Sequence, residues 1–85
     1  MKESMFTSPL VMRIPLSQIR PSPRRHYFGQ FHLEILQERM RAYGLVDPIV
    51  VRRVQGSYEI VDGMRRWWAA RLLGWRSIDA KILAV

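Results

Sequence analysis

The chain has 85 residues and no cysteine, which bounds it to one small domain without disulfides, thiolate catalysis or Cys-ligated zinc. Fourteen Lys and Arg, twelve of them Arg, face seven Asp and Glu for a net charge of +7. That balance points to a polyanionic partner (nucleic acid, nucleotide or an acidic protein surface), and the Arg bias favours bidentate grips on phosphate. No apolar run is long enough to span a bilayer, and the N-terminus lacks the apolar core of a signal peptide, so a cytoplasmic location is expected.

Residues 1–10, a mixture of polar residues with Met, Phe and Pro, read as a loose tail, and residues 11–85 as the domain. A short strand is predicted at 11–15, then one helical turn at 16–19. Residues 20–26, with Pro21 and Pro23 among arginines, form a basic loop. The spacing of Leu33, Leu36, Met40 and Tyr43 predicts a helix over 31–43, stopped by Gly44. Residues 49–54 and 57–61 are two strands of a hairpin around Gln55-Gly56. A second helix is expected over 64–73, stopped by Gly74. The alternation of Ile78, Ala80, Ile82 and Ala84 against Asp79 and Lys81 makes 77–85 a last strand. This order specifies a small α+β domain, a short mixed sheet carrying two main helices.

The junction at 58–66 is the segment richest in chemistry. A strand ends at Val61, Asp62-Gly63 turns sharply, and a helix opens with Arg65 and Arg66 in its first turn. Free backbone amides, the positive end of the helix dipole and two guanidinium groups converge there, which suits a phosphate. Asp62 is either a helix N-cap or, beside phosphates, a magnesium ligand. Adjacent tryptophans on a helix point about 100° apart, so Trp68, with Leu72 below it, is assigned inward. Trp67 is assigned a part-exposed position from which it can stack on a base or a partner protein. Tyr27 and Phe28 in the basic loop are further partner-contact candidates. Asp47 before Pro48 reads as a turn residue, and His26 and His32 carry no metal pattern.

Three segments, in this order, resemble the N-terminal domain of the ParB partition proteins, in the wider ParB/sulfiredoxin superfamily. The Pro- and Arg-containing loop at 19–28 has the family's Arg-x-x-Phe at Arg25 and Phe28. Gly44-Leu45-Val46-Asp47-Pro48-Ile49 is similar to its Gly-Leu-x-x-Pro-Ile box. Asp62-Gly63-Met64-Arg65-Arg66 with Ala69-Ala70 is similar to its Gly-Glu-Arg-Arg-x-x-Ala-Ala box. The resemblance implies a nucleotide, CTP or ATP with Mg2+, whose phosphates meet Gly63, Arg65 and Arg66. Gly44, Leu45 and Pro48 would wall the nucleotide, and Arg25 would reach in from its loop. It also implies DNA or a DNA-bound protein complex as partner, and a homodimer among the expected assemblies.

Three departures qualify the carry-over. The family's Glu is Met64, removing a carboxylate from the pocket rim, and the Gln before Pro-Ile is Asp47. The later Glu-Asn-x-x-Arg segment, the helix-turn-helix and the dimerisation domain have no counterpart, so the chain reads as a fragment or a minimal stand-alone domain. Enzymatic turnover is left open, with CTP or ATP hydrolysis and metal-dependent DNA cleavage as the candidate reactions. Sulfiredoxin chemistry is excluded because the chain has no cysteine. Two alternatives to the nucleotide module are a basic DNA-binding or nuclease-like module, and a protein-interaction domain that has lost the pocket chemistry.

Overall fold

A computed structural model describes residues 11–22 and 32–83. The elements run β1 (Val11–Pro15), a 3-10 turn (Leu16–Gln18), β2 (Ile19–Arg20), α1 (Glu34–Tyr43), β3 (Ile49–Val54), β4 (Ser57–Asp62), α2 (Met64–Leu72) and β5 (Ser77–Ile82). They form one five-stranded sheet of order β1-β5-β3-β4-β2. β1 and β5 pair antiparallel, β5 and β3 parallel, β3 and β4 antiparallel, and β4 and β2 parallel. The α+β class with a mixed sheet and two helices is therefore as expected.

The hairpin turns through Gln55 and Gly56, both at positive φ (48° and 83°). That pairing is the signature of a type I′ turn, whose twist matches that of the flanking strands. The two-residue strand β2 was not foreseen. The run Arg20-Pro21-Ser22-Pro23 breaks it before any periodicity can develop, and β4 supplies the partner that makes it a strand at all. The ends of α2 are set by glycines. Gly74 adopts φ +82°, and the Gly74 and Trp75 amides donate to the carbonyls of Arg71 and Ala70, each at 3.0 Å. This is a Schellman stop, and it ends the helix at Leu72, one residue earlier than predicted.

One face of the sheet carries the core. Ile14, Ile78, Ala80, Ile49, Val51 and Ile60 are buried there against Met40 of α1 and Met64, Trp67, Ala69 and Ala70 of α2. Burying each Ile or Val side chain fully is worth about 1.5–3 kcal/mol. Ala69 and Ala70 have no exposed surface, so α2 lies close upon the strands. The other face is charged. Arg13 pairs with Asp79 across β1 and β5, and Arg52 with Glu59 across β3 and β4.

The tryptophan assignment is reversed in the structure. Trp67 is 2 % exposed in the core, whereas Trp68 is half-buried and Leu72 is 62 % exposed. The reason is helix phase. Buried Met64 fixes the inward face at the first turn, and Trp67 and Ala70 follow it at steps of three, placing Trp68 and Leu72 to the side. Trp68 instead meets the Trp67 ring edge-on, at 5.1 Å and 78°. The guanidinium of Arg71 covers both rings, at 5.0 and 5.4 Å.

Candidate functional site: an arginine-lined cleft at the start of α2

The chain enters α2 from β4 through Gly63, which has φ 108° and ψ 25°. A Cβ at this position would stand 2.6 Å from Cγ2 and 2.8 Å from Cβ of Ile49. Glycine is required twice over, by the backbone angle and by the contact with β3. Gly63 is also the N-cap position, and no side chain caps the helix. The expectation that Asp62 caps α2 is thus corrected. Asp62 is the last residue of β4, one position too early, and its exposed carboxylate turns to Arg66 at 3.9 Å. The first backbone bond of the helix runs from Trp67 N to Gly63 O at 2.9 Å. The amides of Met64, Arg65 and Arg66 precede it and so have no intrahelical acceptor.

This helix start opens into a cleft of about 640 Å³. Its walls come from α1 (Leu36, Arg39, Met40), the 44–47 segment and the junction 62–66. The structure therefore brings Gly44, Leu45, Asp62, Gly63, Arg65 and Arg66 together at one place. Pro48 stands behind the lining, with its carbonyl held by Arg66. Met64 is not a rim residue in the way the sequence comparison suggested. Although it borders the cleft, it is 4 % exposed and belongs to the core. A thioether is at home there, and a carboxylate would have to be desolvated. Arg25, Tyr27 and Phe28 lie outside the described residues. Trp67, proposed from sequence as a partner contact, is buried and unavailable. The exposed large apolar side chains include Ile35, Tyr43 and Val46 instead.

Both site arginines are engaged. Arg65 donates through Nη2 to the carbonyl of His32 at 2.8 Å, just before α1. Arg66 donates through Nη1 to the carbonyls of Asp47 and Pro48, at 2.9 and 3.2 Å. Arg39 was missed in the sequence, where it falls on a polar face of α1. The structure places it on the cleft wall, exposed, with no hydrogen bond or ion pair among the described residues. Its position three residues after Leu36, which also lines the cleft, was the available signal, and only the packing of α1 beside α2 gives it meaning. Among the described residues, no group of three or more His, Asp or Glu is placed to hold a metal. No described helix is long and apolar enough to cross a membrane.

Comparison with known proteins agrees with this fold. The family model of the ParB N-terminal domain matches residues 1–85. A nucleoid occlusion protein of Halalkalibacterium halodurans is 40% identical over 74 residues, covering 85% of this chain and 26% of that protein. The chain spans about a quarter of the length of the curated relatives it matches. Among solved structures, the C-terminally truncated chromosome-partitioning protein ParB of Caulobacter crescentus, complexed with CTP-gamma-S, superposes with a TM-score of 0.76 and 30% identity. That match covers 88% of this chain and 44% of the other. Sulfiredoxin of Arabidopsis thaliana superposes with a TM-score of 0.77 and 33% identity, covering 91% of this chain and 88% of the other. The cysteine-free sequence separates this chain from sulfiredoxin chemistry. With the fold, the order of its motifs and the full-length family match in agreement, the chain belongs to the ParB N-terminal domain family.

Proposed function

We propose that this domain is a nucleotide-binding module of ParB type, which takes CTP or ATP with Mg2+ and acts in DNA partition or in the regulation of DNA-bound complexes. The observation that carries the reading is the uncapped start of α2 opening into a cleft with Arg39, Arg65 and Arg66 on its walls. The nucleotide's phosphates sit at Gly63–Arg66, where amides and dipole favour an anion. Gly44 and Leu45 line the base and ribose side, and Pro48 backs it. The Caulobacter relative, crystallised with CTP-gamma-S, supports a nucleotide as ligand.

Two carboxylate residues border the cleft, Asp47 and Asp62, and Asp62 is the one assigned to magnesium. Asp62 borders the cleft and its side chain is 71% exposed. Magnesium is commonly held by one or two carboxylates with phosphate oxygens and water completing an octahedron. When bound, it would neutralise phosphate charge; the arginines and amides orient the phosphates. The net charge of +7 suits a place beside DNA.

Calorimetric titration with CTP, ATP and GTP in the presence of magnesium tests the reading. Saturable binding of one nucleotide, weakened in Arg66→Ala, is expected. Failure of all three to bind would refute it.

A further inference from the structure

A second cavity, of about 350 Å³, opens where α2 hands the chain to β5, and it shares only Gly44 and Leu45 with the arginine-lined cleft. Its other walls carry Trp75, Arg76, Ser77 and Asp79, with Arg13 from the edge strand β1. The register of β1 and β5 sets Arg13 opposite Asp79 and Pro15 opposite Ser77, so Arg13, Ser77 and Asp79 share the charged face of the sheet. The backbone of Trp75 and Arg76 is pinned on both sides. Trp75 N donates to the Ala70 carbonyl at 3.0 Å, and the Arg76 carbonyl accepts from Leu16 N at 2.9 Å. Trp75 is half-buried and packs against the core, which leaves part of its surface to the cavity. The cavity is also rich in unspent donors. Arg76 is exposed, and its side chain has no hydrogen bond or ion pair among the described residues. The Trp75 indole N–H and the Ser77 hydroxyl have no described partner either. Asp79 takes Nε of Arg13 at 3.2 Å, and this leaves the Nη1–Nη2 edge of that guanidinium able to donate twice.

We infer that this cavity docks an acidic segment of a partner protein, with an Asp or Glu carboxylate gripped by Arg76 and Arg13 and a neighbouring apolar side chain laid on Trp75. Two guanidinium groups stand there against one carboxylate, so the charge favours an anion, and the free groups are mostly donors. Trp75 adds an apolar surface that a bare phosphate does not use. A DNA duplex presents its phosphates on a convex surface with nothing apolar between them, and Asp79 opposes a second phosphate. The volume lies at the small end of ligand pockets, which run from about 300 to 1,000 Å³, and so suits one or two side chains. Trp and Arg are also the residues that most often dominate the binding energy of protein interfaces. Because the backbone of Trp75 and Arg76 is already fixed, little ordering remains on docking. The inference does not rest on the nucleotide reading, since Arg13, Trp75, Arg76 and Ser77 do not border the other cleft.

The probe is an array of short blocked peptides that pair Glu with each apolar or aromatic residue, set beside the same peptides with Gln in place of Glu. The tightest Glu peptide, its Gln counterpart and a short DNA duplex are then titrated into the nitrogen-15-labelled chain and followed by NMR. The Glu peptide is expected to shift the Trp75 indole N–H and the amides of residues 75–79 saturably, and to bind about tenfold more tightly than the Gln peptide, given the worth of charge-assisted hydrogen bonds. Arg76→Ala should weaken the Glu peptide about tenfold and leave the Gln peptide unchanged, and Arg13→Ala should act in the same direction. Both side chains are exposed, so both variants keep the fold. Equal binding of the Glu and Gln peptides would overturn the inference, as would an Arg76→Ala variant that binds the Glu peptide as the wild type does. Shifts confined to residues 62–66 would place the acid in the other cleft and overturn it too. A duplex that moves the same Trp75 and 75–79 signals more tightly than any peptide, and loses them in Arg76→Ala, would give the cavity to nucleic acid instead. An array with no binder would refute the docking site and leave the nucleotide reading untouched.

Discussion

Alanine at Gly63 tests the close contact on which the start of α2 depends. Two costs add. The backbone stands at φ 108°, where an L side chain loses about 1–2 kcal/mol. The new methyl would also lie 2.6 and 2.8 Å from the Ile49 side chain, and 3.2 Å from its Cα. Ile49 is fully buried, so it has little room to withdraw, and overpacking of this kind costs about 1–3 kcal/mol. A total near 3 kcal/mol is a large share of the roughly 4–13 kcal/mol available to a domain of this length. The midpoint of thermal unfolding, followed by circular dichroism, should fall by about 12–24 °C. Gly56→Ala is the matched control. Gly56 also has positive φ, at +83°, yet nothing lies within 4 Å of its added methyl. Only the conformational part remains there, about 1 kcal/mol or about 4–8 °C. Equal losses in the two variants would show that β3 does not press on Gly63, and the explanation of this glycine would fail.

Arg52→Ala should cost about 2 kcal/mol by urea unfolding, because the Glu59 side chain is only 11% exposed and loses the donors at 2.8 and 3.1 Å on Oε1. Arg13→Ala, which breaks a pair with side chains 73% and 37% exposed, should stay below about 1 kcal/mol; a reversed order would refute the assignment of Glu59 as the buried partner. Trp67→Ala should cost about 3–5 kcal/mol. Trp67→Phe should cost much less, since Trp67 Nε1 is buried with no hydrogen-bond partner among the described residues, and its removal returns part of a desolvation penalty of about 1–3 kcal/mol. A Trp67→Phe loss as large as that of Trp67→Ala would mean that the indole N–H is satisfied after all.

The sequence carried the fold through features that act locally. The alternation in β5, the hairpin glycine at Gly56 and the stop glycines Gly44 and Gly74 each specify backbone geometry without help from distant residues, and the structure agrees with them, although β5 ends at Ile82, short of the predicted 77–85. What escaped the sequence depends on neighbours far along the chain. β2 exists because β4 pairs with it. The phase of α2 depends on which side meets the sheet, and the two adjacent tryptophans give no local hint, since both are large and apolar. The strand, the glycine turn and the helix start of the 62–66 junction were legible because they are read from adjacent residues, and the structure places a cleft beside them. The place of Arg39 on the cleft wall was invisible, because a polar side chain on an exposed helix face becomes a cleft residue only when α1 lies beside α2.

The same contact that stabilises the domain also aims its candidate site. Gly63 presses on Ile49, and Ile49 begins β3 directly after Pro48. Arg66 returns from α2 to the carbonyls of Asp47 and Pro48. The helix start and the 44–48 wall are therefore fixed to each other twice, once through the core and once across the cleft. A ligand held at the α2 amides meets a wall whose distance is already set, so little ordering remains to be done on binding, and preorganisation of this kind lowers the cost of association. It follows that changes at Gly63 and at Arg66 should not act independently on nucleotide affinity. Either one alone leaves the wall with one attachment, and the double variant should lose more than the two single losses combined.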